Sequence, residues 1–307
     1  MSPFIARLLL PFSFVFSRVR SLSSGWLPYL FLMPALLLLA VFSFWPVLYG
    51  SYLSFTDFSL MRATHWVGLD NYRALLENAM FLTGLRNSLL FLLVVPVTQL
   101  AAIALAVLVN HQLPAMRWFR AAYYVPVVTT VSVVGIMWGF MFHEQGTLNY
   151  VLLQLHLIAA PLGWLSDDHL ALFAVMFVSF WRGLGWYMVM YLAALQAVPA
   201  DMQEAAILDG ASRWQRFWKI TVPMLRSTIM VCSILSVLAA LKAYQEVDVL
   251  TQGGPMNSTF TGLYYAYDQG LKHLKLPRAL AASFVMSVFC IGIALLCLRY
   301  LKPKHRP

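Results

Sequence analysis

The amino-acid sequence predicts an all-α membrane protein whose core is a bundle of six transmembrane helices. Hydrophobic residues make up 61% of the 307-residue chain and charged residues 11%, and the mean hydropathy is +0.74. A helix needs about 20 mostly apolar residues to cross the bilayer core, and backbone polar groups in lipid must be satisfied within that helix. Long apolar segments that meet this requirement lie at about 27–53, 87–109, 121–142, 170–195, 223–243 and 279–299.

These segments organise the chain into one transmembrane domain at 27–301 with short flanking segments at 1–26 and 302–307. The first segment does not read as a cleavable signal, because its apolar stretch from Leu8 to Phe16 is interrupted by Pro11 and no small-residue cleavage site follows. An amphipathic segment at the membrane interface is the better interpretation. Prolines at 28, 34 and 46 predict kinks in the first span.

The net charge of +9 indicates membrane topology rather than nucleic-acid binding. Basic residues favour the cytoplasmic side of a membrane protein, and they concentrate in alternate segments: Arg7, Arg18, Arg20, Arg117, Arg120, Arg213, Arg216, Lys219, Arg226, Arg299, Lys302, Lys304 and Arg306. The opposite loops contain fewer. We therefore expect both termini and residues 196–222 to be cytoplasmic, and 143–169 to lie outside.

The loop at 196–222 is unusually polar for a chain of this composition, which predicts that it docks on another molecule. Asp201-x-x-Glu204 is a candidate helix start, and Gly210 is suited to the left-handed conformation that ends a helix. Ser212-x-x-Gln215 reads as a second capping box. The loop is therefore predicted to be a short helix, a glycine corner and a second helix that runs into the next span.

The same loop carries a family resemblance. Glu204-Ala205-Ala206, Gly210 and Ile220-Thr221-Val222-Pro223 resemble the signature loop of permease subunits in ABC importers, with Val222 where leucine is usual. Further elements, spread over roughly 27–300, resemble the carbohydrate-uptake group related to maltose- and glycerol-phosphate-importer permeases: Asn87-Ser88, Trp138, Gly146-Thr147-Leu148-Asn149, Trp164-Leu165-Ser166-Asp167, Val198-Pro199 and Leu250-Thr251-Gln252-Gly253-Gly254-Pro255.

The resemblance implies a coupling helix that docks into a cleft of an ATPase subunit, through Asp201, Glu204, Ala205, Ala206, Asp209, Gly210 and Ala211. It also implies these partners: a second homologous permease in a heterodimeric pore, a dimer of ATPase subunits, an extracytoplasmic solute-binding protein, a carbohydrate substrate and membrane lipid. ATP and magnesium would be held by the ATPase subunits and no cofactor by this chain. The expected location is the cytoplasmic membrane of a bacterium or archaeon. A capped surface helix without a partner is the alternative.

Sequence motifs for catalysis are absent. The chain has no Gly-x4-Gly-Lys-Ser/Thr for nucleotide phosphates, no His-Glu-x-x-His and no Cys/His cluster with metal-ligand spacing. Cys232, Cys290 and Cys297 all lie within predicted spans and read as small core residues. We therefore expect a non-catalytic subunit. The rival classes are a secondary transporter, which would show inverted repeats, and a membrane-embedded transferase or hydrolase, which would need convergent catalytic residues.

Polar and ionisable groups within spans 4 and 5 are the candidates for a solute pathway: Ser179, Arg182, Trp186, Ser236, Tyr244 and Gln245. Charge inside a span is tolerated mainly where water or protein meets it, and a neutral sugar needs hydrogen-bonding groups beside aromatic faces. Ser236, Ala240 and Ala243 share one helical face. Helix packing explains the small residues equally well, and an Arg–carboxylate clasp or snorkelling would explain Arg182.

Overall fold

A computed structural model describes residues 27–59, 62–110 and 116–301. The predicted segments at 1–26 and 302–307 lie outside the described residues. Among the described residues the regular structure is helical, with two isolated bridges, Thr56 with Trp66 and Ser59 with Arg62. The prediction of an all-α protein is therefore confirmed for this part of the chain.

Helices long and apolar enough to cross a membrane lie at Pro28–Leu53, Ala79–Val109, Ala171–Gln196 and Leu276–Arg299. Two further candidates in the described residues are bent pairs: Trp118–Val128 with Val131–Met141, at 104°, and Arg213–Met224 with Arg226–Leu241, at 67°. The six apolar segments of the sequence correspond to these elements if each bent pair counts as one span.

The chain divides into two compact units, one up to Tyr52 and one from Leu53 onward. The described part of the first unit is helical, with a π-helical turn, in three parts: α1 (Leu27–Leu39), the turn (Ala40–Phe44) and α2 (Trp45–Leu53), whose last residue belongs to the second unit. The Trp45 N–H bonds the Ala40 carbonyl, five residues back, just before Pro46. Because proline has no N–H to continue the regular pattern, a π turn lies just before Pro46. Pro34 lies inside α1 without ending it, and the kinks predicted at the prolines of this span stay a prediction.

The second unit begins with α3 (Asp70–Leu76), and its first span is α4 (Ala79–Phe91) followed by α5 (Val94–Val109). This span starts at Ala79 rather than at the predicted 87, because the Asn78 side chain accepts from the Phe81 N–H at 3.0 Å and begins the helix there. The next span is broken into α6 (Met116–Val128) and α7 (Val131–Met141). The break is at Thr130, whose backbone is extended.

Helix α8 (Thr147–Gln154) lies in the predicted outside loop, and α9 (Ala171–Gln196) is the long central helix. Helix α9 packs against α5, α6 and α13 (Arg226–Leu241), and it carries the fully buried Met188 and Tyr191. A Cβ at Gly185 would collide with the Tyr123 carbonyl oxygen. Glycine therefore allows the backbones of α9 and α6 to approach closely.

The loop after α9 contains α10 (Ala200–Leu208), α11 (Arg213–Arg216), a π-helical turn (Phe217–Thr221) and α12 (Val222–Met224). The prediction that Asp201 caps the first helix is wrong: the N-cap is Pro199, with no side-chain cap. The ring of Pro199 fixes its φ at −58°, a value that suits the start of a helix. Helix α10 therefore starts earlier than predicted, and Asp201 lies within its first turn. The other two local predictions are confirmed. Gly210 has φ +77°, and Ser212 and Gln215 form a reciprocal capping box.

After α13 the chain turns into α14 (Gln245–Leu250), α15 (Gly262–Tyr267), a π-helical turn (Asp268–Lys272) and α16 (Leu276–Leu301). Helix α16 packs against α13, α15 and α3, while α15 packs against α4 and α14 against α7. This arrangement places α14 beside the central helix α9, and it is α14 that completes the site described next.

Candidate functional site

A cavity of about 360 Å³ lies among α5, α9 and α13. Helix α6 adds Val127 to its wall, and α14 adds Glu246. Its lining is mostly apolar with a few polar groups: Phe91, Val94, Val95, Thr98, Val127, Ser179, Arg182, Gly183, Trp186, Tyr187, Ser236, Ala239, Ala240, Ala243 and Glu246. An apolar wall with a small number of placed polar groups is the usual character of a small-molecule site.

The structure brings together four of the six side chains that the sequence singles out for a pathway. Ser179, Arg182, Trp186 and Ser236 all line the cavity. Tyr244 and Gln245 do not. The Tyr244 ring packs against Tyr267, with 5.5 Å between ring centroids, and Gln245 is exposed and donates to the Tyr244 hydroxyl at 3.4 Å.

The polar centre of the cavity is an ion pair between two lining side chains. Arg182 Nη1 donates to Glu246 Oε1 at 2.9 Å. The two side chains are 32% and 11% exposed, so the pair is largely withdrawn from solvent. Ser179 Oγ and Arg182 Nε are buried, with no hydrogen-bond partner among the described residues. The site therefore holds unused hydrogen-bonding groups next to a charge that is already neutralised.

Glu246 belongs to the cavity although the pathway residues inferred from the sequence did not include it. It follows α13 in the first turn of the separate helix α14, and its proximity to Arg182 depends on a turn in the chain at 242–244. The sequence analysis kept an Arg–carboxylate clasp as one explanation of Arg182, since a charge within a span usually faces a partner or water, and the contact with Glu246 is such a clasp.

Small residues on α13 leave the cavity open. Ser236, Ala239 and Ala240 of α13 line it, and so does Ala243. The prediction that Ser236, Ala240 and Ala243 share one helical face is wrong for Ala243, because α13 ends at Leu241 and Ala243 lies in the turn that follows. On the α9 side, Gly183 adds no side chain and Trp186, 47% exposed, presents a broad aromatic surface.

Buried hydrogen bonds fix the segment that carries α14 and α15. Asn87 Nδ2 donates to the carbonyl oxygens of Ser258 (2.7 Å) and Phe260 (2.8 Å). The neighbouring Ser88 hydroxyl accepts from the Gly262 N–H at 3.0 Å. Thr261 Oγ1 donates to the carbonyl oxygen of Ala243, a lining residue, at 2.7 Å. The sequence element Asn87-Ser88 thus helps hold the wall of the cavity in place.

The Thr251-Gln252-Gly253-Gly254-Pro255 element is part of the same scaffold. Its first hydroxyl, on Thr251, lies 2.8 Å from the Thr259 hydroxyl, and Thr259 in turn donates to the Gly254 carbonyl oxygen at 2.8 Å. Gly253 has φ +86°, and a Cβ there would collide with the Phe260 ring. A glycine is therefore required at this position on both conformational and steric grounds.

Asn149, another residue of the resemblance, organises the loop at 143–169. Its amide donates to the carbonyl oxygens of Glu144 (3.0 Å) and Leu162 (2.8 Å). Its oxygen accepts from the Leu162 N–H (3.1 Å) and from Trp164 Nε1 (2.9 Å). Asn149 is 1% exposed, so one buried side chain links the two ends of this loop, beside the packing of Phe142 against Trp164.

The signature loop presents a second candidate surface. Asp201, Glu204, Ala205, Asp209 and Gly210 are exposed, whereas Ala206 and Ala211 are half-buried. Apolar side chains are exposed beside them, with Leu208 89%, Ile207 54% and Met202 45% exposed. On the opposite side, Gln203 Nε2 donates to Thr221 Oγ1 at 3.3 Å, which ties α10 to the helical segment that returns to the membrane.

Comparison with known proteins identifies the family. Residues 85–306 match the family described as binding-protein-dependent transport system inner membrane component. The chain belongs to this family. It is thus an ABC importer permease subunit, of the class that is itself non-catalytic, and a component of the inner membrane.

Curated relatives extend the match over nearly the whole permease. A probable ABC transporter permease protein of Pyrococcus horikoshii is 32% identical, covering 88% of this chain and 94% of the relative. The lactose transport system permease protein of Rhizobium radiobacter is 33% identical, and the match covers 89% of this chain and 91% of the relative. The sn-glycerol-3-phosphate transport system permease protein of Pectobacterium atrosepticum is 29% identical, and the match covers 92% of this chain and 96% of the relative. The resemblance to carbohydrate-type permeases is confirmed.

Solved structures show the same fold. A chain of a bacterial alginate ABC transporter, in complex with an alginate pentasaccharide-bound periplasmic protein, superposes with a TM-score of 0.80 at 20% identity. That superposition covers 92% of this permease and 96% of the other chain. The fold is therefore that of an ABC importer permease.

Proposed function

We propose that this permease forms half of a heterodimeric translocation pathway in an ATP-driven importer of neutral carbohydrates. The cavity among α5, α9 and α13 would be its share of the pathway, and α10 would couple it to the ATPase subunits. The observation that carries the proposal is the content of the cavity. Hydrogen-bonding groups, an aromatic surface and small side chains converge there around one neutralised ion pair.

The charge of the cavity supports a neutral solute. Arg182 and Glu246 are the ionised residues of its described lining, and they are paired at 2.9 Å. A guanidinium held by a carboxylate is a poor receptor for a phosphate or carboxylate solute, because binding the anion would leave Glu246 without its partner. Sugar hydroxyls require only donors and acceptors, which Ser179, Ser236 and the free Nε of Arg182 supply.

The position of α10 supports a coupling role. Helix α9 ends at Gln196 and α13 begins at Arg226, so two of the helices that line the cavity are connected by the loop that carries α10. Gln203 and Thr221 connect the two sides of that loop. A displacement of α10 by a closing ATPase pair would therefore act on both cavity walls. ATP and magnesium would be bound by those subunits.

The permease would work with several partner proteins and in one orientation in the membrane. The fold and family support a second homologous permease, a dimer of ATPase subunits and an extracytoplasmic solute-binding protein. We place both termini and 196–222 in the cytoplasm, and 143–169 outside, from the distribution of basic residues. Binding of ATP on one side and of loaded binding protein on the other would then bias the same two-state bundle.

Transport by the complete reconstituted importer tests the function. Proteoliposomes would be assayed with radiolabelled neutral sugars, polyols and sn-glycerol 3-phosphate. Each solute would be tested with ATP available to the ATPase subunits and again without ATP. We expect ATP-dependent uptake of at least one neutral solute. Uptake driven by an ion gradient without ATP would contradict the importer mechanism, and ATP-dependent uptake confined to anionic solutes would contradict the neutral-substrate assignment.

A further inference from the structure

A second cavity, of about 430 Å³, lies at the other end of the bundle, beside the coupling loop. It is bounded by the ends of α5 and α9, by Gln203 of α10 and by the segment that follows Ser212. Two arginines line it, Arg213 and Arg216. This cavity shares no lining residue with the candidate pathway.

The charge of this second cavity is not balanced. Its described lining contains two arginines and no acidic residue, and the ion pairs formed among the described residues involve other groups. Arg216 Nε is buried without a hydrogen-bond partner in that part of the chain. A buried donor on a charged group is costly to leave unpaired, so the arrangement calls for an anion. Arg182 in the first cavity differs, because its charge is paired with that of Glu246.

The residues beside the cavity indicate where that anion comes from. Trp214 and Trp218 are 70% and 48% exposed and pack edge to face, with 5.6 Å between ring centroids. Tryptophan is enriched at the headgroup level of membranes, and basic residues there attract anionic lipid. The segment from Arg213 to Met224 is the first half of a bent candidate span that continues as Arg226–Leu241, and the preceding span ends at Gln196. Arg213 and the residues after it therefore lie at the end of a span, close to a bilayer surface in either orientation of the chain.

From this combination we infer that the cavity lined by Arg213 and Arg216 binds the phosphate headgroup of an anionic phospholipid, while Trp214 and Trp218 lie at the bilayer interface beside it. The ATPase-facing surface proposed above is a different one. The most exposed apolar side chain of the coupling loop, Leu208, belongs to α10 and does not line this cavity. A bound lipid would fix the segment from Arg213 to Thr221, to which α10 is tied through Gln203.

Lipid retention by the complete importer tests this inference without reference to its transported solute. The complex would be purified from nanodiscs of phosphatidylcholine with phosphatidylglycerol, and the two retained lipids would be quantified by native mass spectrometry. We expect preferential retention of phosphatidylglycerol. Arg213→Gln and Arg216→Gln should each lower the retained ratio about tenfold, the factor that corresponds to the loss of one direct hydrogen bond to a charged group.

Lys219→Gln is the matched control, since it removes one positive charge from the same segment at an exposed residue outside the cavity lining. The ratio should stay close to wild type in this variant. An equal loss in Lys219→Gln would show diffuse attraction only and would overturn the site. Displacement of the lipid by free inorganic phosphate would identify a soluble anion as the ligand instead. Loss of the ATPase subunits from Arg216→Gln with unchanged lipid retention would assign the cavity to the ATPase and also overturn the inference.

Discussion

Arg182 and Glu246 are 64 residues apart in the sequence, and their side chains meet at 2.9 Å in the wall of the candidate pathway. The pair joins the central helix α9 to the short helix α14. Because both groups line a cavity, the pair has two consequences: it stabilises the contact between these helices, and it sets the charge that a solute would encounter.

Glu246→Gln should destabilise the permease and lower uptake, because it leaves Arg182 without a counter-charge. Since Arg182 is 32% exposed, we expect a loss of about 1–2 kcal/mol, between the values for exposed and buried pairs. Thermal unfolding of the purified complex and solute uptake at equal expression would measure both effects. The double variant Arg182→Gln/Glu246→Gln should recover part of the stability. A double variant as unstable as the sum of the two single variants would argue against coupling between them.

Gly210→Val should uncouple ATP hydrolysis from uptake. The Gly210 φ of +77° costs a β-branched residue of the order of 1 kcal/mol or more. A Cβ would meet no atom within 4 Å, so backbone strain and not a clash is the cause. Gly210→Asn is the control, because asparagine tolerates this conformation. ATPase stimulation by loaded binding protein, compared with uptake at equal membrane levels, measures the coupling. Wild-type coupling in Gly210→Val would reject the assignment of 201–211.

Trp186→Ala should lower uptake while leaving basal ATPase activity measurable, because it removes the aromatic surface against which a sugar ring would pack. The Gln245→Ala substitution should have a smaller effect on uptake, since Gln245 does not line the cavity. Initial rates in proteoliposomes would compare the two. If Trp186→Ala transports like the wild type, or if Gln245→Ala lowers uptake as much as Trp186→Ala, the cavity is not the pathway, although the permease assignment would stand.

Cysteine accessibility in intact cells tests the orientation. The three native cysteines would first be replaced, and single cysteines introduced at Leu208, which is 89% exposed, and at Tyr150, which is 63% exposed. Ser212 is less suitable than these positions because its hydroxyl caps a helix. An impermeant maleimide should modify the cysteine at 150 and not the one at 208. The opposite pattern would invert the topology.

Asn87→Ala should lower the melting temperature of the complex by several degrees. The substitution leaves the carbonyl oxygens of Ser258 and Phe260 without their amide donor, and a buried polar group without a partner costs about 1–3 kcal/mol. Ser287→Ala, which removes an exposed side-chain hydrogen bond, is the comparison and should leave stability nearly unchanged. Equal melting temperatures for the two variants would show that the Asn87 bonds contribute little.

Local features of the site were readable from the sequence. The capping box of Ser212 and Gln215 and the left-handed Gly210 depend on interactions within a few residues, so residue type and spacing were sufficient to predict them. The start of α10 could not be predicted, because Asp201 is a favourable capping residue by type and only the backbone shows that the helix begins after Pro199. The 104° break before Val131 likewise had no marker in the sequence beyond two threonines.

By itself, the sequence determined the membrane class, the approximate positions of the apolar segments and the family, because composition, segment length and a signature loop are properties of the chain read in order. Only the tertiary structure decided which side chains meet: Arg182 with Glu246, and Asn87 with the carbonyls at 258 and 260. The physical reason is that helices apolar on every side have no hydrophobic face to mark which side packs inward. Their mutual rotation is set by close contacts such as that of Gly185 with the Tyr123 carbonyl, which bring distant residues together.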